Sequence, residues 1–457
     1  SEPATFQNTI LALENSGKLL RQVETVFGNL LSAETNDAMQ ELVKKLMPLL
    51  DEHATNISLN EKLFARVKTV YEQRQTEGLT VEQLKLVEDT YEGFIRNGVN
   101  LQGTDKAKYR ELSQKLSLLT LQFGENNLKE TNDYLLVLKN ESQLAGLPQT
   151  SIDAAAETAR EKQVEGWGFT LQAPSYVPFM TYAKNRDLRK ELYMAYNTKC
   201  THDNACNNIN IVKQLVNTRL AIAQLLGYKD YASYKLERRM AQNSENVYRL
   251  LNQLLEAYKP TALQEYAEVQ ALAREEQGVD FTVMPWDWSY YSRKLQEHKF
   301  NLNDEMLRPY FELENVKKGV FGLATRLYGI TFKKNPDIPV YHKDVEAYEV
   351  FDKDGSFLAV LYTDFFPREG KRSGAWMTSY KEQWIDETTG ENSRPHVSLV
   401  MNFTKPTQDK PALLTFSEVE TFLHEFGHSL HGMFANTTYA SLSGTNVYWD
   451  FVELPSQ

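Results

Sequence analysis

Thr415-Phe-Ser-Glu-Val-Glu-Thr-Phe-Leu-His424-Glu-Phe-Gly-His428-Ser-Leu-His431-Gly-Met-Phe434 is the stretch on which the reading of this chain turns. Ser417 and Glu420 stand three apart as a capping box and place a helix start beside them. Turning about 100° per residue from His424, the side chains of Val419, Phe422, Leu423, Phe426, Leu430, Met433 and Phe434 fall in an arc of about 160–280°. His424, His428 and His431 lie on the other side, so the histidines do not belong to the apolar face. Histidines at i and i+4 are one turn apart, and the imidazoles of His424 and His428 can converge on a single tetrahedral ion. His431 is about 10.5 Å further along the axis than His424, too far to share that ion, and is expected to pack or to hydrogen-bond behind it.

In the pattern H-E-x-x-H the two histidines hold zinc and the glutamate, here Glu425, is the general base of a metallopeptidase. A helical histidine pair is more often part of a solvated face. Its placement on a capped amphipathic helix, opposite the apolar stripe, favours the metal. A catalytic zinc also needs a third protein ligand and an open position for water. A third histidine six places after the second would define one class of such enzymes, but Phe434 stands there. The carboxylates that follow the helix are Asp450 and Glu453, which would share one face if helical; spacing alone does not choose between them.

Outward from this segment the texture is mostly helical. No proline interrupts the chain between Pro48 and Pro148, and apolar residues recur there at spacings of three and four, as in Leu112, Leu116, Leu119 and Phe123. Thr104-Asp105 is expected to cap that helix. Residues 150–163 and 180–280 repeat the habit, with Pro260 expected at a helix boundary. Beyond about 330, Val345–Phe351, the turn Asp352-Lys-Asp-Gly355 and Phe357–Tyr362 alternate as a hairpin, and 396–403 offers a third strand. A small sheet is expected just ahead of the histidine helix.

The chain has 457 residues, 42% hydrophobic and 24% charged, with a net charge of −11 and a pI near 5.4. That balance argues against nucleic acid and anionic membranes as partners, because phosphate binding needs a basic footprint. Two cysteines, Cys200 and Cys206, are too few for a disulfide framework and are read as packing. No stretch is long and apolar enough for a membrane span, and no Gly-rich phosphate loop, nucleophile elbow or dinucleotide fingerprint is found.

The segments His424-Glu-Phe-Gly-His428-Ser-Leu-His431, Leu442-Ser-Gly-Thr-Asn446 and Asp450-Phe-Val-Glu453-Leu-Pro-Ser-Gln457 closely resemble the thimet oligopeptidase and neurolysin family of zinc peptidases, and within it the peptidyl-dipeptidase branch. Phe6-Gln-Asn-Thr-Ile10, Thr35-Asn-Asp37, Asp105-Lys-Ala-Lys108, Pro285-Trp-Asp-Trp288, Pro309-Tyr-Phe-Glu-Leu313, Gly374-Ala-Trp-Met377 and Pro411-Ala-Leu-Leu414 extend the resemblance over the whole chain. It implies that His424, His428 and Glu453 bind one zinc ion and that Glu425 is the general base, with Asp450 orienting a ligand histidine. It also implies that the sheet edge near Gly374-Ala-Trp376 pairs with substrate backbone.

The implied fold is mainly α: a two-lobed, neurolysin-like helical metallopeptidase with a small β-sheet near the zinc. Residues 1–180 would form the N-terminal helical lobe and 181–457 the catalytic region, facing each other across a deep narrow channel. The implied activity is hydrolysis of short peptides with release of C-terminal dipeptides. The alternatives are an oligopeptidase that cuts internally and a catalytically impaired zinc- and peptide-binding fragment. A monomer in the cytoplasm is expected, or in the periplasm if a leader was removed. Family members begin earlier and continue beyond the third ligand through a Gly-Tyr-Ala-Ala-Gly-Tyr-Tyr-like segment whose tyrosines face the transition state. The expectation is therefore of a chain truncated at both ends, with little peptidase activity in residues 1–457 alone.

Overall fold

The structure, a computed structural model, describes residues 2–457. Helices of ten residues or longer run in chain order as α1 (Lys18–Ala33), α2 (Asp37–Ser58), α3 (Glu61–Gln73), α4 (Val81–Arg96), α5 (Thr104–Asp133), α6 (Gln149–Glu161), α7 (Ala173–Tyr182), α8 (Arg186–Asn197), α9 (Ile209–Leu225), α10 (Ser244–Gln277), α11 (Trp288–Phe300), α12 (Leu313–Tyr328) and α13 (Phe416–Met433). The fold is mainly α, as the periodicity implies. Short polar side chains start several of these helices: Asn36, Asn60, Thr80 and Asn243 each accept a backbone N–H of the first turn.

Local signals misplace some boundaries. α5 begins after Gly103, and neither Thr104 nor Asp105 caps it with a side chain, because the chain enters at φ 53°, a conformation that glycine adopts without penalty. Pro260 does not end a helix. It lies inside α10, on an exposed stretch, where the many flanking backbone bonds of a 34-residue helix outweigh the one it removes.

Strands β1 (Leu136–Leu138) and β2 (Trp167–Phe169) pair antiparallel. The main sheet contains β3 (Thr331–Lys334), β4 (Val345–Phe351), β5 (Phe357–Asp364) and β6 (Trp376–Lys381), followed after a small β7 (Trp384–Ile385) and β8 (Asn392–Ser393) ribbon by β9 (His396–Val400). Its order is β3-β4-β5-β9-β6, with β5 and β9 parallel and the other pairs antiparallel. The expected hairpin and third strand are present, β6 forms the sheet edge expected near Gly374-Ala-Trp376, and β3 is an addition.

One face of this sheet packs under α12 and α13, and Leu361, Leu399, Val320, Phe422, Phe426 and Met433 meet there in the largest apolar cluster. β6 approaches α13 closely because residue 432 is glycine: a Cβ there would lie 2.7 Å from Met377 Cε. Other clusters join distant parts of the chain. Phe6, Val67, Val87 and Phe94 pack with Tyr439, and Leu112 of α5 packs with Ile222 of α9.

Charge also holds the sheet. Glu346 on β4 takes Lys317 Nζ of α12 at 2.6 Å and the Tyr348 hydroxyl at 2.6 Å, and Lys334 pairs with its other oxygen. Burial pushes this carboxyl up, but the two lysines and the tyrosine outweigh it and hold it down to about 2. A depressed carboxyl stabilises the fold above its unfolded value, near 4.3, and the contribution is lost as pH falls through about 2. Glu346→Gln is therefore expected to lower unfolding stability at pH 7 by on the order of 3 kcal/mol. Denaturant titrations of both proteins from pH 7 to pH 2 check this, and the gap should close toward the acid end.

Candidate metal centre

α13 starts two residues before the expected capping box. Thr415, extended at φ −77° and ψ 163°, accepts the Glu418 N–H through its hydroxyl at 3.1 Å, and Glu418 accepts the Thr415 N–H at 2.8 Å. Two overlapping Ser/Thr-x-x-Glu matches are present in the sequence. The first prevails because Glu418 also accepts the Thr404 N–H at 2.7 Å and so ties the helix start to the strand exit after β9.

The buried face of α13 is rotated from the expected apolar arc. Leu423 and Phe434 are 41% and 37% exposed, whereas Glu425 is only 7% exposed and His428, Ser429 and Gly432 are buried. The polar flank turns inward because β6 and the C-terminal segment cover it.

His424 and His428 present their rings 4.9 Å apart between centroids at 89°. Glu453 Oε2 lies 3.2 Å from His424 Nε2 and 3.2 Å from His428 Nε2, and among the described residues this trio forms a group that could hold a metal ion. In a tetrahedron with zinc–ligand bonds of about 2.0–2.1 Å, adjacent donors stand about 3.3 Å apart, so these separations suit one such ion. Burial lowers the His428 pKa more than the charge of Glu453 raises it, which favours the neutral, coordinating imidazole. Glu453 is half-exposed, and the side of the trio it occupies faces solvent.

Glu453 reaches the histidines through a close backbone approach rather than through a helix. Residues 449–453 form turns that lead into a short 3-10 segment, Leu454–Ser456. A Cβ on Gly427 would lie 2.7 Å from Ser456 Cα and 2.9 Å from the Pro455 carbonyl oxygen, so only glycine admits this segment. The Ser456 hydroxyl donates to the Glu453 carbonyl at 2.7 Å. Asp450 does not orient a histidine: its carboxylate accepts the N–H groups of Met240 and Ala241 at 2.9 and 3.0 Å, tethering the segment to the turn before α10. The turn geometry separates Asp450 from Glu453, which a helix would have placed on one face. Of the two expectations for His431, packing is the one found: its buried Nδ1 has no partner, and burial lowers its pKa.

Burial pushes the Glu425 carboxyl above its usual range, with His424 opposing, Glu453 reinforcing and the Met377 backbone amide opposing. β6 is the sheet's edge strand, so the sheet edge near Gly374-Ala-Trp376 lies alongside this glutamate. Sequence reasoning missed the amide and the Gly427 contact. The glycine within H-E-F-G-H was the available signal.

In a mainly helical protein these three donors, two on one helical turn and a carboxylate from downstream, have the arrangement expected of an H-E-x-x-H metal centre. A model of peptidase family M3 matches residues 179–457, and the chain belongs to that family. It is 40% identical over 454 residues to the dipeptidyl carboxypeptidase of Escherichia coli (strain K12), a match covering 99% of this chain and 66% of that protein. To the oligopeptidase A of the same organism it is 35% identical over 460 residues, covering 100% of this chain and 67% of that protein. The chain thus spans about two thirds of the length of these relatives.

Gly427→Ala is expected to push residues 455–456 away and carry Glu453 off the histidines. Zinc titration by calorimetry should show affinity reduced by at least about tenfold, with the helical circular dichroism retained.

Proposed function

We propose that the protein is a zinc peptidase that hydrolyses short peptides, with His424, His428 and Glu453 holding one zinc ion and Glu425 as general base. The single observation that carries this reading is the convergence of both imidazole Nε2 atoms on one Glu453 oxygen at 3.2 Å. Zinc bound there would polarise the scissile carbonyl and acidify a water molecule. Glu425 takes the proton of the attacking water and later returns it to the leaving amine, and burial, which raises its pKa, favours its holding the proton between the two transfers. No covalent enzyme intermediate is required. The edge of β6 near Trp376 orders substrate backbone beside the site by adding a strand.

The relative named dipeptidyl carboxypeptidase supports release of C-terminal dipeptides, and the one named oligopeptidase A supports internal cleavage as the second reading. The family match beginning at residue 179 supports taking 181–457 as the catalytic region, with 1–180 as the opposing lobe across a peptide channel. No described helix is long and apolar enough to cross a membrane. Cytoplasm and periplasm remain the two compartments consistent with the proposal.

Glu425→Gln in the whole protein is expected to keep its zinc and lose turnover by at least about 10²-fold, within the range for removal of a general base. Glu453→Gln is expected to lose the metal. Metal analysis beside a fluorogenic peptide assay checks both, and turnover unchanged in Glu425→Gln would overturn the reading. Product masses from a decapeptide separate dipeptide release from internal cleavage.

A further inference from the structure

We propose that the cavity between α1 and the β6–β7 segment is a subsite for a peptide's cationic group, an ammonium or guanidinium, received by Glu382 and the face of Trp384. The proposal deepens the peptidase reading and rests on it. The cavity measures about 580 Å³ and is walled by Leu11, Glu14 and the N-terminal half of α1, by residues 379–382 and 384–388, and by residues 438–440.

Its position follows from β6. The strand's first residues lie at the metal helix, where Met377 packs onto Gly432, and its last, Ser379 to Lys381, line the cavity. From Met377 to Glu382 an extended chain covers roughly 16 Å, so the cavity lies within about five residues' reach of the metal helix. Asn29 of α1 donates to the Ser379 carbonyl at 2.9 Å, so a peptide arriving there leaves the strand edge at that point and turns into the cavity.

The chemistry follows from which carboxylates already have partners. Glu14 accepts the Ser441 N–H at 3.1 Å, Glu387 accepts the Tyr439 hydroxyl at 3.1 Å, and Asp386 accepts the Thr388 and Thr389 N–H groups at 2.9 Å each. Glu382 is half-buried and has the Ser379 hydroxyl beside it. Lys18, Arg21 and Lys381 also line the cavity, but none of them pairs with it. Burial pushes its carboxyl up to about 7. An arriving cation would restore its charge. Two residues on, the Trp384 ring already holds an ammonium: Lys18 Nζ sits 3.9 Å from its centroid. Lys18 is exposed and can yield that face to a ligand.

The test is equilibrium binding to the Glu425→Gln protein, which holds peptides without cutting them. Three short peptides that differ only in their cation serve as probes: one N-acetylated with no cation, one with a free N-terminus, and one N-acetylated with a single lysine substituted in. A cationic probe is expected to bind about tenfold more tightly than the neutral one. Preference for the N-free or the lysine probe identifies the amino terminus or the side chain as the source. Adding Glu382→Gln should shrink the preference to within about twofold while leaving the neutral probe's affinity unchanged, and adding Lys18→Ala instead should enlarge the preference. Equal binding of all three probes, or a preference that survives Glu382→Gln in a protein of unchanged melting temperature, would overturn the proposal. Cleavage of peptides by the whole protein without discrimination would remove the subsite and leave the peptidase; discrimination without cleavage would do the reverse.

Discussion

Glu453 meets two imidazoles only because the helix that carries them has no side chain at Gly427. A hydrogen in place of a methyl lets the backbone at Pro455 and Ser456 lie against α13 at a distance no Cβ would allow. From that contact follow the 3.2 Å separations between the Glu453 carboxylate and both imidazoles. An ion that needs about 2 Å bonds tolerates little slack, so the approach must be fixed by packing rather than by the length of a flexible side chain.

Two further restraints keep that contact in place. At the start of α13, Glu418 joins Thr415 to Thr404 and so fixes the helix to the chain leaving β9. At the other end, Asp450 fastens the Glu453 segment to the backbone of Met240 and Ala241, in a part of the chain remote in sequence. Between them, Gly432 lets β6 close on the flank of α13 that carries Glu425, which is why a polar flank is buried and an aliphatic one, at Leu423, is exposed. The same closeness sets the proton affinity of Glu425, since desolvation is the largest influence on it.

Much of this was legible in the sequence, and the rest was not, for physical reasons. The i, i+4 spacing of His424 and His428 fixes their shared direction on any helix, so local periodicity suffices. Helical periodicity likewise carried the mainly α fold, and strand alternation carried the Val345–Tyr362 hairpin. The choice of Glu453 over Asp450 came from family resemblance alone. Nothing local distinguishes two carboxylates three apart, and the turn that places one at the histidines and the other at residues 240–241 is set by contacts with α13 and with those residues. Thr415 competing with Ser417 for the cap, and Pro260 inside α10, are cases in which tertiary or flanking bonds override a local signal. The edge position of β6 was expected from the resemblance at Gly374-Ala-Trp376, but its pairing with β9 was not legible, because strand order is a long-range property.

X-ray absorption at the zinc edge, on protein loaded with one equivalent of zinc, examines the donor set without reference to turnover. The account predicts two imidazole nitrogens and one carboxylate oxygen at about 2.0–2.1 Å, with the carboxylate signal lost in Glu453→Gln. A spectrum showing fewer than two imidazoles, or one unchanged by that substitution, would contradict it.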